Sequence, residues 1–303
     1  MAKHAAPKPT TRHIPYAGII AAVVACLVLA ALLFLHPWEG LLGNDPSSDK
    51  DFESSTQPTT EDASSQQLAE STEESTPPEG IAASEPDPAS LAGMLAAGSV
   101  TSIRVIGDSI TAGYLTDGYG EIPDTPTIVY AGSEGVYHET APEVRCWTND
   151  FRSYATDHGV TSFVNAGICG FRMQYLAEDP DAWLGGDTDV IVVMLGSNDA
   201  AKESVEDFRS FAETALTAAE GHCAHLVVVS PPDNDRTDAV NLYGMDQIDS
   251  VLAELSAAHG WEHVSLLDVL QIGSDDLNPD QAHPTTSGSD KLWEAFHDRL
   301  GLA

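Results

Sequence analysis

Val105-Ile106-Gly107-Asp108-Ser109-Ile110-Thr111-Ala112-Gly113-Tyr114 passes from aliphatic residues to a small polar turn within a few positions, and that turn carries a serine. The pattern predicts a strand that ends abruptly at Ser109. Serine is a poor nucleophile at its free pKa, and it gains chemistry only where a base, an orienter for that base and oxyanion donors converge on it. Candidates for all three follow downstream. Gly167 closes the run Phe163-Val164-Asn165-Ala166, and Asn198 lies in Gly196-Ser197-Asn198-Asp199, directly after Val190-Ile191-Val192-Val193-Met194-Leu195. Asp280 stands three residues before His283 in Asn278-Pro279-Asp280-Gln281-Ala282-His283-Pro284.

These four blocks, in this order, resemble those of the SGNH (GDSL) hydrolase family, and the resemblance covers residues 99–303. It implies a three-layer α/β/α, flavodoxin-like sandwich around a five-stranded parallel sheet, and ester hydrolysis through an acyl-serine. Ser109 would then be the nucleophile, and His283 the general base and later acid, with Asp280 orienting its ring. The oxyanion donors implied are the backbone N–H groups of Ser109 and Gly167 and the side-chain amide of Asn198. Taken singly, each residue has an ordinary reading as a turn serine, a turn glycine or a capping asparagine. The ordered set carries the chemistry. Asp108 and Asp199 read as holders of loop geometry.

Glu294-Ala295-Phe296-His297 repeats the acid-to-histidine spacing and serves as an internal control. It lies in a predicted helix whose Trp293 and Phe296 look like core, so His297 reads as structural. Asp280 and His283 lie in a loop, where catalytic groups concentrate.

Outward from these motifs the chain alternates strand and helix, which predicts a parallel sheet with helices on both faces. Strands are expected at Ser102 to Ile106, Ser162 to Asn165, Val190 to Leu195, His225 to Ser230 and His263 to Leu267. Helices are expected at Trp147 to His158, Ser204 to Glu220, Ala239 to His259 and Thr285 to Leu300; Phe208, Phe211, Ala212 and Ala215, for instance, fall on one helical face. Ligands of open parallel sheets sit at the carboxyl ends of the strands. The insert from Leu115 to Arg145 leaves from that edge and is expected to wall the pocket.

The N-terminal third is of another kind. Residues 1–15 are basic, and Tyr16 to Leu35 contains no charged residue. Twenty helical residues at about 1.5 Å each span a hydrocarbon core of roughly 30 Å. A single transmembrane helix over 16–35 is expected, with the N-terminus cytoplasmic and the domain outside, by the distribution of positive charge. A cleaved signal peptide and a lipoprotein signal at Cys26 are the alternatives. Residues 36–98 are rich in Ser, Thr, Pro and acid, and read as a disordered linker.

The chain holds 47 acidic against 13 basic residues, a formal net charge of −34. Such a field opposes nucleic acid and anionic lipid. No Cys-x-x-Cys or nucleotide-loop motif is present, so neither metal nor cofactor is expected. The expected substrate is a small acyl ester, acetyl above all, on a neutral partner such as an acylated glycan. A glycan O-acetyltransferase served by a separate membrane donor, and a lipase or lysophospholipase-type acylhydrolase, are the alternatives; no long apolar lid stretch supports the lipase. The oligomeric state is left open. Of the three cysteines beyond Cys26, Cys146 and Cys169 are expected at the same sheet edge and Cys223 at the opposite one. A Cys146–Cys169 disulfide is therefore expected, with three reduced thiols as the alternative.

Overall fold

The computed structural model describes residues 86–120, 129–133 and 135–303. The expected cytoplasmic segment 1–15, membrane span 16–35 and most of the linker 36–98 lie outside the described residues. Among the described residues no helix is long and apolar enough to cross a membrane.

The first helix, α1 (Leu91–Ala96), is capped by the Ser90 hydroxyl, which accepts from Gly93 N–H. Leu91, Ala92 and Leu95 are buried in the domain core, and Leu91 N–H donates to Glu262 Oε2 at 2.9 Å. The ordered core therefore begins ahead of the boundary expected at residue 99, because a short apolar patch found a surface to cover. Strand β1 (Ser102–Gly107) leads into the one-turn helix α2 (Ser109–Ala112). The insert then forms a hairpin of β2 (Val129–Gly132) and β3 (Gly135–His138), antiparallel to one another.

After the insert come α3 (Trp147–Asp157), β4 (Ser162–Gly167) and two short helices absent from the sequence reading, α4 (Met173–Glu178) and α5 (Pro180–Leu184). Strand β5 (Thr188–Met194), helix α6 (Val205–Glu220) and strand β6 (Cys223–Ser230) continue the alternation. Helix α7 (Met245–His259), strand β7 (Glu262–Ser265) and helix α8 (Thr286–Leu300) complete it. The start of α7 falls at Met245 instead of Ala239, with Gly244 at its N-cap. The preceding residues are held elsewhere: Leu242 N–H donates to Ala200 O at 2.7 Å.

The five long-range strands pair in parallel in the order β4-β1-β5-β6-β7. Their Val and Ile residues are buried on both faces, as a sheet covered on two sides requires. One face carries α4 to α7, with Phe208, Leu216, Ile248 and Leu252 in the core. The other carries α1, α3 and α8, where Trp147, Phe151 and Phe296 are fully buried and Phe151 lies 5.2 Å from Phe296. Three layers result. The connection after β1 leads to β4 on one side and the connection after β5 leads to β6 on the other, so the β1–β5 boundary is the switch point where such sheets open a crevice. Gly107 pairs with Gly167 of β4 and Met194 of β5, so the turn that follows β1 stands between the two neighbouring strand exits.

Candidate active site

Asp108 is the N-cap of α2, its Oδ1 accepting from Ile110 N–H at 2.9 Å, and Gly113 closes the turn with φ +74°. A side chain at Gly107 would meet Thr111 Oγ1 at 1.9 Å, so only glycine lets the chain turn this sharply. Ser109 is left 7% exposed at the mouth of the turn.

The structure brings three of the sequence-derived residues into one line. Ser109 Oγ lies 2.8 Å from His283 Nε2, and His283 Nδ1 lies 2.8 Å from Asp280 Oδ2. The other Asp280 oxygen accepts the backbone N–H groups of Ala282 at 3.1 Å and His283 at 3.0 Å. Burial works against this carboxylate, but the bonds from the His283 backbone and ring and from Ala282 outweigh it, and its pKa falls below the ordinary carboxylate value. Gln281, between the two, has φ +55°, one of two non-glycine residues with positive φ among those described. Its side chain is tied down at both ends, accepting from Gly273 N–H at 2.7 Å and donating to Asn278 O at 3.1 Å. That strained residue folds the loop back so that acid and imidazole meet.

The donor side differs from the sequence reading. Gly167 N–H does not face a substrate: it donates to Asn165 Oδ1 at 3.1 Å. A Cβ at Gly167 would lie 2.3 Å from Ala112 N, so its glycine serves the close approach of β4 to α2. Asn165, wholly buried, staples the same contact by donating to Thr111 O at 3.1 Å. Three residues on, Gly170 is exposed with φ +77°, and its N–H has no acceptor among the described residues. It lies between Cys169 and Phe171, and Phe171 O accepts from Asn198 Nδ2 at 3.1 Å.

Asn198 is where the sequence placed it. Its Nδ2 also reaches Asp108 Oδ2 at 3.4 Å, and its Oδ1 accepts from Arg236 Nη1 at 3.2 Å. Arg236 was not singled out by sequence. It grips Asp238 through Nε and Nη2, at 2.7 and 2.8 Å, and its neighbours Asp235 and Thr237 donate to Gln281 O and Asp280 O, both at 3.0 Å. One arginine loop thus braces both the amide and the acid–histidine loop. Beside them Asp108 is buried, and burial raises its pKa from 3.8 to about 6 against the opposing Ile110 N–H and the charges of His283 and Arg236.

One space opens on Ser109 and a second lies beyond it, against Ala112 of α2. Toward the β5 and β6 exits, a crevice of only about 10 Å³ is enclosed by Ser109, Asn198, Asn234, Arg236 and His283. Toward the β4 exit and the insert lies a cavity of about 350 Å³.

The family model of the GDSL-like lipase/acylhydrolase family matches residues 105–291, from β1 into α8. The chain belongs to this family. With the family comes the reaction class, hydrolysis of carboxylic esters. No curated protein matches the chain. Similar solved structures include LAE5, an α/β hydrolase from the metagenome of Lake Arreo, Spain, at 17% identity and TM-score 0.51 over 67% of this chain and 95% of that one. A catalytic mutant of Axe2, an acetylxylan esterase from Geobacillus stearothermophilus, matches at 17% identity and TM-score 0.50, again over 67% and 95%. Likeness at such identities is likeness of fold.

Within this GDSL-family domain the expected disulfide is absent. Cys146, Cys169 and Cys223 are all free thiols. Cys146 is buried with Ala141 and Val144 and takes a 3.7 Å contact from Asn165 Nδ2, while Cys169 is exposed with its Sγ 3.1 Å from Tyr119 Oη. Sharing a sheet edge brought the two cysteines to the same end of the domain, but each thiol has a different neighbour. Burial pushes the Cys146 pKa up to about 11, so this thiol is inert. Asp199 is fully buried, and burial, followed by the neighbouring carboxyl of Glu203, raises its pKa well above the ordinary value. It accepts from Met173 N–H at 2.9 Å and so holds the start of α4, in keeping with a loop-holding role.

Proposed function

We propose that the chain hydrolyses esters of small acyl groups, acetyl above all, through an acyl-serine on Ser109, and that the domain works outside the cell membrane, tethered by residues 16–35. Ser109 Oγ attacks the ester carbonyl while its proton passes to His283 Nε2. The C–O bond to the alcohol then breaks as His283 Nε2 returns that proton to the leaving oxygen. Water, deprotonated by His283, attacks the acyl-serine, and the acid departs as Ser109 regains its proton. Asp280 stabilises the imidazolium formed twice in this cycle. The oxyanion is met by the N–H groups of Ser109 and Gly170 and by Asn198 Nδ2, which gives up its long bond to Asp108.

The observation that carries the small-acyl reading is the crevice of about 10 Å³ beside Asn198 and His283. A space of that size holds about one water molecule, and a methyl group is little larger. An acylated glycan is the alcohol that the strongly acidic chain favours on charge grounds. Tyr114 and Tyr119, 36% and 38% exposed at the rim, offer ring faces to a sugar. The test is a series of ethyl esters from acetate to octanoate with a fluorophosphonate probe. Label at Ser109 and kcat/KM falling along the series are expected; rates that climb steadily to octanoate would overturn the small-acyl reading. The tether is tested by alkaline carbonate extraction, and a released protein with a mature N-terminus beyond residue 36 would reject it.

A further inference from the structure

The cavity of about 350 Å³ on the insert side of Ser109 has no part in the chemistry described so far. Its size is at the lower end of the range for small-molecule sites, about 300–1,000 Å³. Its walls are mostly apolar, with Val136, Ala141, Val144 and Ile168 facing Tyr119 and Tyr137. The one carboxylate in the wall, Glu139, is buried and already engaged by Arg152 Nη2 at 2.6 Å. His138, Thr140 and Cys169 also line it, and this largely apolar wall suits a flat ring better than the dense hydroxyl pattern of a bare sugar.

Position tells which half of an ester enters. The cavity also touches Ala112, one helical turn beyond Ser109 on α2, and Gly167 and Cys169 at the β4 exit. A general acid must lie within hydrogen-bond reach of the oxygen it protonates, so the leaving alcohol passes His283 Nε2. From His283 an aromatic path leads to the cavity. The Tyr114 ring meets the imidazole edge to face at 4.9 Å, Tyr119 meets Tyr114 at 5.2 Å, and Tyr119 is itself a cavity wall. The narrow crevice also touches Ser109 and His283, but at about 10 Å³ it has room for a small acyl group alone. We infer that the cavity is the leaving-group subsite and takes an alcohol bearing an aryl ring system of one or two rings.

This inference rests on the esterase reading of Ser109 and replaces the acylated glycan named there with an aryl alcohol. It revises the expectation drawn from the lack of a long apolar stretch, because the hairpin assembles an apolar wall from residues scattered through a polar insert. The experiment compares kcat/KM of the full-length chain for 2-naphthylmethyl acetate and ethyl acetate, whose leaving alcohols are of similar acidity. A ratio of at least about 10 is expected from burial of the ring system. Val136 is 62% exposed on the hairpin, and Val136→Trp should fill the cavity and lower that ratio about tenfold. If that variant does not fold, 2-naphthylmethanol should still inhibit the unmodified chain competitively, and methyl xyloside should not.

Preference for methyl 2-naphthylacetate, which carries the ring on the acyl side, would overturn the assignment. So would preference for an acetylated xyloside over 2-naphthylmethyl acetate, or a ratio near 1. Hydrolysis of none of these esters, with Ser109 unlabelled, would instead break the esterase reading. The cavity is then judged on 2-naphthylmethanol alone: binding that is lost in Val136→Trp keeps an aryl-alcohol site, and no binding removes it.

Discussion

Two acid–histidine pairs with the same three-residue spacing occur within twenty residues of one another, and they are put to different use. Asp280 and His283 lie in a loop bent by Gln281 at φ +55°, and their side chains meet at 2.8 Å. Glu294 and His297 lie in α8, where His297 Nδ1 turns to its own neighbour Asp298 at 3.1 Å and its ring packs edge-on against Tyr154 and Trp293. A helix sets i and i+3 on one face but leaves the choice of partner to the surroundings. The loop spends backbone strain to remove that choice.

The largest effect separating the pairs is catalytic. Ser109→Ala or His283→Ala should lower kcat by about 10³ to 10⁶, as for residues that act as a unit. Steady-state assay with ethyl acetate checks this, and a His297→Ala loss that exceeded the His283→Ala loss would reverse the whole assignment. Asn198→Ala should cost about 10² to 10³ in kcat, roughly 3 to 4 kcal/mol, because a preplaced donor is removed from the oxyanion.

A third handle is pH. Asp108, beside the active pair, is raised from 3.8 to about 6 by burial, so around pH 5 it stays protonated in the fold but ionises in the unfolded chain. The unfolded chain then binds fewer protons, and stability falls as pH rises from 4 to 6, by about 3 kcal/mol for this group. Asp280 acts with the opposite sign: its lowered pKa contributes stability above the ordinary carboxylate value that is lost as pH falls through its folded one. Denaturant titrations of Asp108→Asn, which keeps a good N-cap, should show the falling slope removed. A slope unchanged in the variant would place the effect elsewhere.

Gln281→Val sharpens the comparison from the side of strain. A β-branched residue at φ +55° should cost about 1–3 kcal/mol in denaturant titrations, and kcat should fall with it if the loop relaxes and Asp280 leaves His283. The smallest effect is expected from His297→Ala, with kcat within about twofold of the parent, since this half-buried helical side chain contacts Tyr154, Trp293 and Asp298 and none of the Ser109–His283–Asp280 line.

The five strands and the Ser109–His283–Asp280 line were legible because aliphatic runs and strand-exit motifs are local signals. What stayed hidden was relational. Asn165 and Arg236 are ordinary polar residues in sequence, and only packing shows that one takes the Gly167 N–H and the other holds Asn198. Helices α4 and α5 are too short for periodicity, with Pro180 interrupting them. The hairpin carries two glycines, Gly132 and Gly135, that read as loop. That the Gly167 N–H is already engaged was hidden for a similar reason: which N–H is free depends on a side chain two residues away.

The early helix α1 has a practical consequence. A short turn joins its end to Ser102, the first residue of β1, while Ser109 lies past the last, a distance of about 20 Å along a six-residue strand. Helix α8 begins just after His283 and runs back to finish beside the same starting edge, where Ala303 O accepts from Tyr154 Oη at 3.0 Å. Both ends of the domain therefore emerge on the side facing away from the opening. A bead, a fluorophore or a fusion partner coupled at either end would leave the entrance unobstructed, so surface-immobilised enzyme should retain its turnover.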